Sequence, residues 1–500
     1  MKTLISTIAL FGILLFTQSC SKPFDEIDSS TTPDLGIPLL DAKIQLKEVI
    51  DGLNAFSYLS VNPDGSYTFK YSTTFPTTTS FNIFDSMPVA QIPVYDTAII
   101  VPFPVPQGSR LDVIDLSKGK FKFSFTSPLE QLNVTVKIPQ FTKNNVPLSK
   151  TFTINVGGKV TDSIDLNGYH IEPDVNGKIA LIYDARRANG TRTTILGLTN
   201  YYEFAAFNNK FIKGYFGPRD LASTKDSISI DFFKNLNFQG EIKFFDPKVT
   251  LTIENSFGMP LYVKLSQSEV TPSSGSKFAM TGPLSNGLTI NYPSLTQVGQ
   301  YKQTTVTQDK SNSNVVALVN ALPTKIVYKV DGLMNPDTTN KTSGFASDTS
   351  RLRLKMDIDI PALLSAKNFL SQDTFSIDFS KFSNVRNVEM KLVTENGLPL
   401  ELTMQGYFLN AQNQRLDSLF TLSKMILPAA PVGADGIPTS SAKGWTLIPI
   451  ETAKFDKIRS STKMIIKYSF ATTANGSVAV KLNQSQSVSL KIGLKVGAKQ

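Results

Sequence analysis

Apolar and polar residues alternate with a period of two along much of this chain. Leu352, Leu354, Met356, Ile358 and Ile360 alternate with Arg351, Arg353, Lys355, Asp357 and Asp359. Val488, Leu490, Ile492, Leu494 and Val496 alternate with Ser489, Lys491, Gly493 and Lys495. Phe121, Phe123 and Phe125 alternate with Lys120, Lys122 and Ser124, and Val134 and Val136 with Asn133, Thr135 and Lys137. Successive strand side chains point to opposite faces, so each run predicts a strand with one buried and one wet face, as in antiparallel sheet. Tyr58–Val61 and Ser66–Tyr71 flank Asn62-Pro63-Asp64-Gly65 as a hairpin, and six Asn-Gly and four Asp-Gly pairs supply further tight turns. Helical spacing is confined to short stretches. One is 314–322, capped by Ser313 or Asn314 and stopped by Pro323; another is 449–459, with Phe455 and Ile458 on one side; a third is a turn within 39–50 carrying Leu46, Val49 and Ile50.

The pattern is written twice. Asp226-Ser227-Ile228-Ser229-Ile230-Asp231-Phe232 returns as Asp373-Thr374-Phe375-Ser376-Ile377-Asp378-Phe379, an offset of 147. Val249, Leu251, Ile253, Gly258, Pro260, Leu261 and Val263 meet Val388, Met390, Leu392, Gly397, Pro399, Leu400 and Leu402 at 139, and Thr324–Lys329 meets Thr462–Lys467 at 138. In both copies a short helical stretch stands just before this last match. A repeated module of domain size follows. Ile114-Asp115-Leu116 opens a shorter, diverged copy in which Lys178–Ile182 corresponds to the Thr324 match, and 201–216 is aromatic-rich. The expected fold is all-β: tandem immunoglobulin-like or late-embryogenesis-abundant-like β-sandwich modules, each with a short helix, in an elongated array. The expected divisions are a signal peptide (1–19), a tether (20–35), an N-terminal β segment (36–111) packed on the first module, a diverged module (112–225), and two modules at 226–372 and 373–500.

Composition adds location. The 500 residues are 41% hydrophobic and only 18% charged, enough to bury a core in each module. The formal charge of +9 comes from lysines spread along the whole chain, so the pattern is no nucleic-acid footprint. Lys2 followed by a short apolar run ending at Phe16 reads as a secretory signal, too short to span a bilayer. The single cysteine, Cys20, follows Thr17-Gln18-Ser19, which resembles a lipobox. The resemblance implies that Cys20 takes up diacylglycerol and becomes the mature N-terminus. Asp25, Glu26 and Asp28 then resemble the acidic export signal of Bacteroidota surface lipoproteins, which implies display on the outer face of the outer membrane; a solvated tether is the alternative.

Little catalytic chemistry is spelled out. With His170 alone there is no two-histidine metal site and no His-Glu-x-x-His helix, and any Ser-His-Asp triad would have to use it. No Gly-x-Ser-x-Gly elbow, phosphate loop or dinucleotide turn occurs, so no cofactor and no metal are expected. Ser460-Ser461-Thr462-Lys463 and Ser274-Gly275-Ser276-Lys277 fit Ser-x-x-Lys but lack its helix N-terminal setting. Asp231 and Asp378 sit at equivalent places in separate modules, too far apart to cooperate as glycosidase carboxylates, and are expected to be structural. Trp445, the sole tryptophan, is a glycan platform only if exposed.

The chain as a whole resembles a family of outer-membrane lipoproteins of the Bacteroidota. Cys20, Gly36-Ile37-Pro38-Leu39-Leu40, Gly397-Leu398-Pro399-Leu400, Ile426–Pro431 and Lys491-Ile492-Gly493 carry the resemblance. Asn255–Leu261 is similar to a strand pattern of late-embryogenesis-abundant β-sandwich domains. Neither implies an activity. The expected function is a non-enzymatic, lipid-anchored surface protein serving as an adhesion, scaffold or accessory subunit of an outer-membrane complex. The alternatives are a glycan-binding partner of a nutrient-uptake porin and a carboxylate-dependent extracellular hydrolase.

Overall fold

The structure is a computed structural model that describes residues 34–47, 58–75, 78–79, 90–103, 105, 108–195, 197–230, 240–272, 277–379 and 385–498. The alternation seen in the sequence becomes burial: Leu352, Leu354, Met356, Ile358 and Ile360 point inward, while Arg351, Arg353 and Lys355 are exposed. The chain is all-β, and the same two-layer sandwich is built three times.

In the first module Ala98–Pro102, Lys178–Arg187, Leu132–Lys143 and Val146–Ile154 lie side by side in that order. Gly197–Tyr215, Arg110–Ser127 and Gly158–Asp165 form the companion layer. Phe123 stacks on Phe152 at 4.9 Å and Phe125 meets Tyr183 edge-on at 5.4 Å, so rings from both layers fill one aromatic core. The second module repeats this order with Arg219–Ser229, Pro323–Met334 and Leu261–Pro272 in one layer and Arg351–Pro361, Lys248–Asn255 and Lys302–Gln308 in the other. The third repeats it again. Phe369–Ser376, Lys463–Thr472 and Leu400–Leu409 face Ser487–Ala498, Val385–Asn396 and Ala442–Ile450.

The helices are shorter than their sequence signals. Val315–Asn320 ends where Leu322 takes φ 51°, and the Asn314 side chain binds Thr281 N and Ala279 O instead of capping the helix. Thr452–Ile458 starts later than expected because Pro449 and Ile450 still belong to the strand Ala442–Ile450; Phe455 and Ile458 are buried together as their spacing implied.

The N-terminal segment does not pack on the first module alone. It lays strands on all three modules, always beside that module's final strand. Asp34–Gln45 pairs with Ser487–Ala498 of the third module, Tyr67–Thr74 with Arg351–Pro361 of the second, and Ala90–Val94 with Gly197–Tyr215 of the first. A final strand with an open edge would expose a row of unpaired N–H and C=O groups, and these added strands satisfy it. The chain thus passes the modules in the order third, second, first, then returns to build them in the order first, second, third. Of the turn expected within 39–50, residues 39–45 are strand, Leu46 and Lys47 are helical, and Val49 and Ile50 lie outside the described residues. Gly36–Leu40 and Lys491–Gly493, quoted separately above, turn out to be neighbours: Pro38 faces Gly493 and Leu40 faces Ile492. Ala98–Pro102, assigned above to the N-terminal segment, is a strand of the first module itself.

Two joints link the modules by the same device, in which the run leading into a module pairs with a short strand ahead of that module's last one. Phe211–Gly214 pairs with Gly344–Ser347 at the first joint, and Leu363–Leu364 with Val480–Lys481 at the second. Phe345 stacks on Phe211 with centroids 6.0 Å apart and exchanges backbone hydrogen bonds with Gly258. A Cβ on Gly258 would sit 2.0 Å from the Phe345 ring, so only glycine fits there. At the second joint the buried Thr472 hydroxyl binds the backbone of Ala366.

The repeat is also visible in hydrogen bonds. Asn335 N donates to Pro260 O and Thr473 N to Pro399 O, which keeps the offset of 138 to 139. The buried Asn255 and Asn396, however, stand 141 apart, and the buried Phe257 and Leu398 keep that spacing. The sequence match at 139 is therefore two residues out at this strand end, because four residues, 256–259, do in the second module what 397–398 does in the third. A two-residue shift leaves every side chain on its own face, so alternation cannot detect it.

Candidate functional site

Among the described residues no group of three His, Asp, Glu or Cys side chains is placed to hold a metal ion, and no helix is long and apolar enough to cross a membrane. Cys20, Asp25, Glu26, Asp28, Asp231 and Ser274 lie outside the described residues. Asp378 is exposed, just past the strand Phe369–Ser376. Ser460 lies in the turn after the helix Thr452–Ile458, and the Lys463 amine donates to Asn413 Oδ1 at 2.8 Å.

His170 stands on the short strand His170–Ile171 that joins the two layers of the first module. Its Nδ1 lies 2.6 Å from Asp115 Oδ1 and its Nε2 3.1 Å from Glu172 Oε1. Partial burial works against the charged ring, but the hydrogen bonds to Asp115 and then Glu172 outweigh it, so the imidazole is held above its ordinary value. Both ring nitrogens are thus engaged by carboxylates, and neither faces a serine hydroxyl.

Trp445 is different. It sits on Ala442–Ile450, the outermost strand of the sheet formed by Asp34–Gln45, Ser487–Ala498, Val385–Asn396 and Ala442–Ile450. Thr446 and Ile448 point into the core, so alternation turns Lys443, Trp445 and Leu447 outward; the tryptophan is 66% exposed. The register carries a row across the outer face from Trp445 to Val393, then Lys491, then Asp41. Val393 is 39% exposed and widens the apolar spot. The next row runs Leu447, Lys391, Gly493, Pro38, and a Cβ placed on Gly493 would meet nothing within 4 Å. Lys391 stands one row along and one strand over from Trp445, about 8 Å away on strand geometry.

Three acids of this face stand opposite lysines. Asp41 accepts from Lys491 Nζ at 2.9 Å, Glu395 stands opposite Lys443, and Glu389 opposite Lys495. Lys391 instead stands opposite Leu447 and Gly493. The face is therefore a flat patch with one projecting indole, a vacant spot and a cation with no acid across from it. Sequence reading had singled out Trp445 but not Val393, Lys391 or Gly493, which join it only through pairing between strands distant in the chain.

No family model and no curated protein matches this chain. Among solved structures it is similar to a predicted secreted protein from Parabacteroides distasonis ATCC 8503, at 14% identity over 56% of this chain and 82% of that one, with a TM-score of 0.31. It is also similar to a structure from infectious bursal disease virus Gt strain, at 9% identity over 89% and 85% of the two chains with a TM-score of 0.14. A third likeness is to a triple jelly roll protein of an archaeal virus, at 10% identity over 92% and 96% with a TM-score of 0.12. TM-scores this low carry no inference about function.

Proposed function

We propose that the protein is a non-enzymatic, lipid-anchored surface protein of the outer membrane, acting as an adhesion or scaffold subunit of an outer-membrane complex. The observation that carries this reading is the pairing of Asp34–Gln45 with the last strand of the third module. Asp34 follows the proposed lipid-bearing Cys20 by 14 positions, so the tether reaches at most about 50 Å. An anchor at Cys20 therefore holds a strand that is itself part of the third module's sheet. The third module would lie nearest the membrane, with the second and first following through the two joints. Two or more acyl chains at about 0.8 kcal/mol per buried methylene hold such a protein stably. The clamped state of His170 and the engagement of Lys463 support the absence of hydrolytic chemistry.

Cell fractionation of Cys20→Ala tests the anchor: the protein should leave the outer-membrane fraction with its modules still folded, and retention there would refute it. Protease treatment of intact cells carrying the Asp25→Ala, Glu26→Ala, Asp28→Ala combination tests export. Loss of accessibility with the lipid retained is expected; unchanged accessibility would refute export by the acidic run. Affinity isolation from gently solubilised membranes should recover a stable outer-membrane partner.

A further inference from the structure

We propose that the outer face of the third module's sheet is a binding site for an acidic sugar, with Trp445 stacked on the pyranose ring and Lys391 paired with its carboxylate or sulfate. The assignment deepens the surface-protein reading and rests on it only for where such a glycan would be met. A pyranose presents a face of C–H groups about the size of the indole, and that face stacks on an aromatic ring while the hydroxyls stay in water. Trp445 projects from a regular strand, so the backbone beneath the ring is held by the ladder to Val385–Asn396. Val393 extends the apolar floor, and the open position at Gly493 leaves room beside it for the rest of a sugar ring or the next residue of a chain.

The charge pattern selects the class of sugar. Asp41, Glu395 and Glu389 each stand opposite a lysine, whereas Lys391, next to the open position, has only Leu447 and Gly493 across from it. A second lysine, Lys43, stands opposite Ser489 at the far edge of the same face. A neutral glycan would leave these cations unused. A uronate or sulfated sugar places an anion where Lys391 can reach it, and a longer acidic chain crossing the sheet can then meet Lys43. An anionic bilayer is the other partner with this charge, but a face with one aromatic ring and one exposed valine offers little to insert into lipid.

The chain contains one tryptophan, so its own fluorescence reports this site and no other. The soluble mature chain is titrated with oligogalacturonides and heparin-derived oligosaccharides, and in parallel with cello-oligosaccharides and anionic phosphatidylglycerol vesicles. The expected result is a saturable change in Trp445 emission with the acidic oligosaccharides, weakened by salt, and none with the neutral ones or the vesicles. By calorimetry Trp445→Ala should abolish binding and Trp445→Phe retain part of it. Lys391→Gln should weaken binding about tenfold, the worth of one charge-assisted hydrogen bond in a partly exposed site, while Lys391→Arg restores it. An equal response to neutral sugars, a response only to vesicles, binding that survives Trp445→Ala, or no response to any acidic oligosaccharide at millimolar concentration would overturn the assignment. None of these outcomes bears on the Cys20 anchor, which is read by fractionation.

Discussion

Asn255 and Asn396 do the same work in two different modules. Each ends the equivalent strand, each is fully buried, and each turns its Oδ1 to the backbone N–H two residues on, 2.9 Å away in both cases. Asn255 Nδ2 donates to Asn291 O, and Asn396 Nδ2 donates to both Leu400 O and Pro428 O. One amide thus ties a strand end to the loop that crosses it. Replacing either by Ala leaves buried backbone groups without partners and should cost about 2–4 kcal/mol. Asn396→Asp should be at least as damaging as Asn396→Ala, because a carboxylate oxygen would then face two carbonyls. Chemical denaturation with module-specific probes checks both; an Asn396→Asp variant as stable as the parent would refute the role.

The alternation at 351–360 and 488–496 was legible because a half-buried strand writes its two faces into the sequence. The offset of the two asparagines was not, since a slip of two residues leaves the faces unchanged. The N-terminal strands escaped for a different reason. Asp34–Gln45, Tyr67–Thr74 and Ala90–Val94 join final strands that lie from about 100 to more than 450 residues further along, and nothing local names that partner, whereas the local pairing of Tyr67–Phe69 with Leu59–Val61 is the hairpin read from the sequence. The platform was half legible: a lone tryptophan can be noticed, but the lysine and glycine beside it are set by register.

Two ionisable groups should give the first module opposite pH sensitivities. Glu203 bonds to Lys122 at 2.7 Å and to the added strand through Gln91 at 2.8 Å, and these bonds, Lys122 first, hold its carboxyl below the ordinary range. Its contribution is complete above about pH 4.5 and is lost as pH falls through the lowered value. His170 is held above its ordinary value, so its contribution is complete below about pH 6.5 and is lost as pH rises through the raised value. The ring is partly exposed, so that loss should stay under about 1 kcal/mol. Stability measured from pH 3 to 9 should show an acid-side loss that is smaller in Glu203→Gln, the remainder coming from Asp112 and Asp162, which are also held low, and an alkaline-side loss absent in His170→Gln.

Gly258→Ala should open the first joint. The added methyl cannot coexist with the Phe345 ring at 2.0 Å, and Phe345 is buried by its stack on Phe211. A cost of about 3 kcal/mol or more is expected from the overpacking. Limited proteolysis should then cut near residues 216–220 while each sandwich stays folded. Combining it with Phe345→Ala should relieve part of the clash, giving a double variant less damaged than the two single effects summed.

The third module should not be self-sufficient. Residues 369–500 keep the module's own strands from Phe369–Ser376 onward but lack Asp34–Gln45, so their final strand would present an open edge. The isolated fragment should dimerise or aggregate through Ser487–Ala498, and fusing residues 34–47 to it by a flexible linker should return it to a monomer with a higher melting temperature. Sedimentation and circular dichroism decide; a monomeric fragment whose melting is unchanged by the fusion would show that the added strand contributes nothing.

The pairing of Asp34 with Gly497 also sets a clock. The strand Asp34–Gln45 leaves the ribosome long before its partner Ser487–Ala498, with 441 residues made in between. Contacts of such sequence separation form late, because the intervening chain must be ordered before its ends can meet. The second and first modules likewise receive their added strands only after their own final strands exist. A chain cut short anywhere before residue 487 therefore carries an N-terminal strand that never finds its partner, which marks unfinished copies for aggregation or proteolysis.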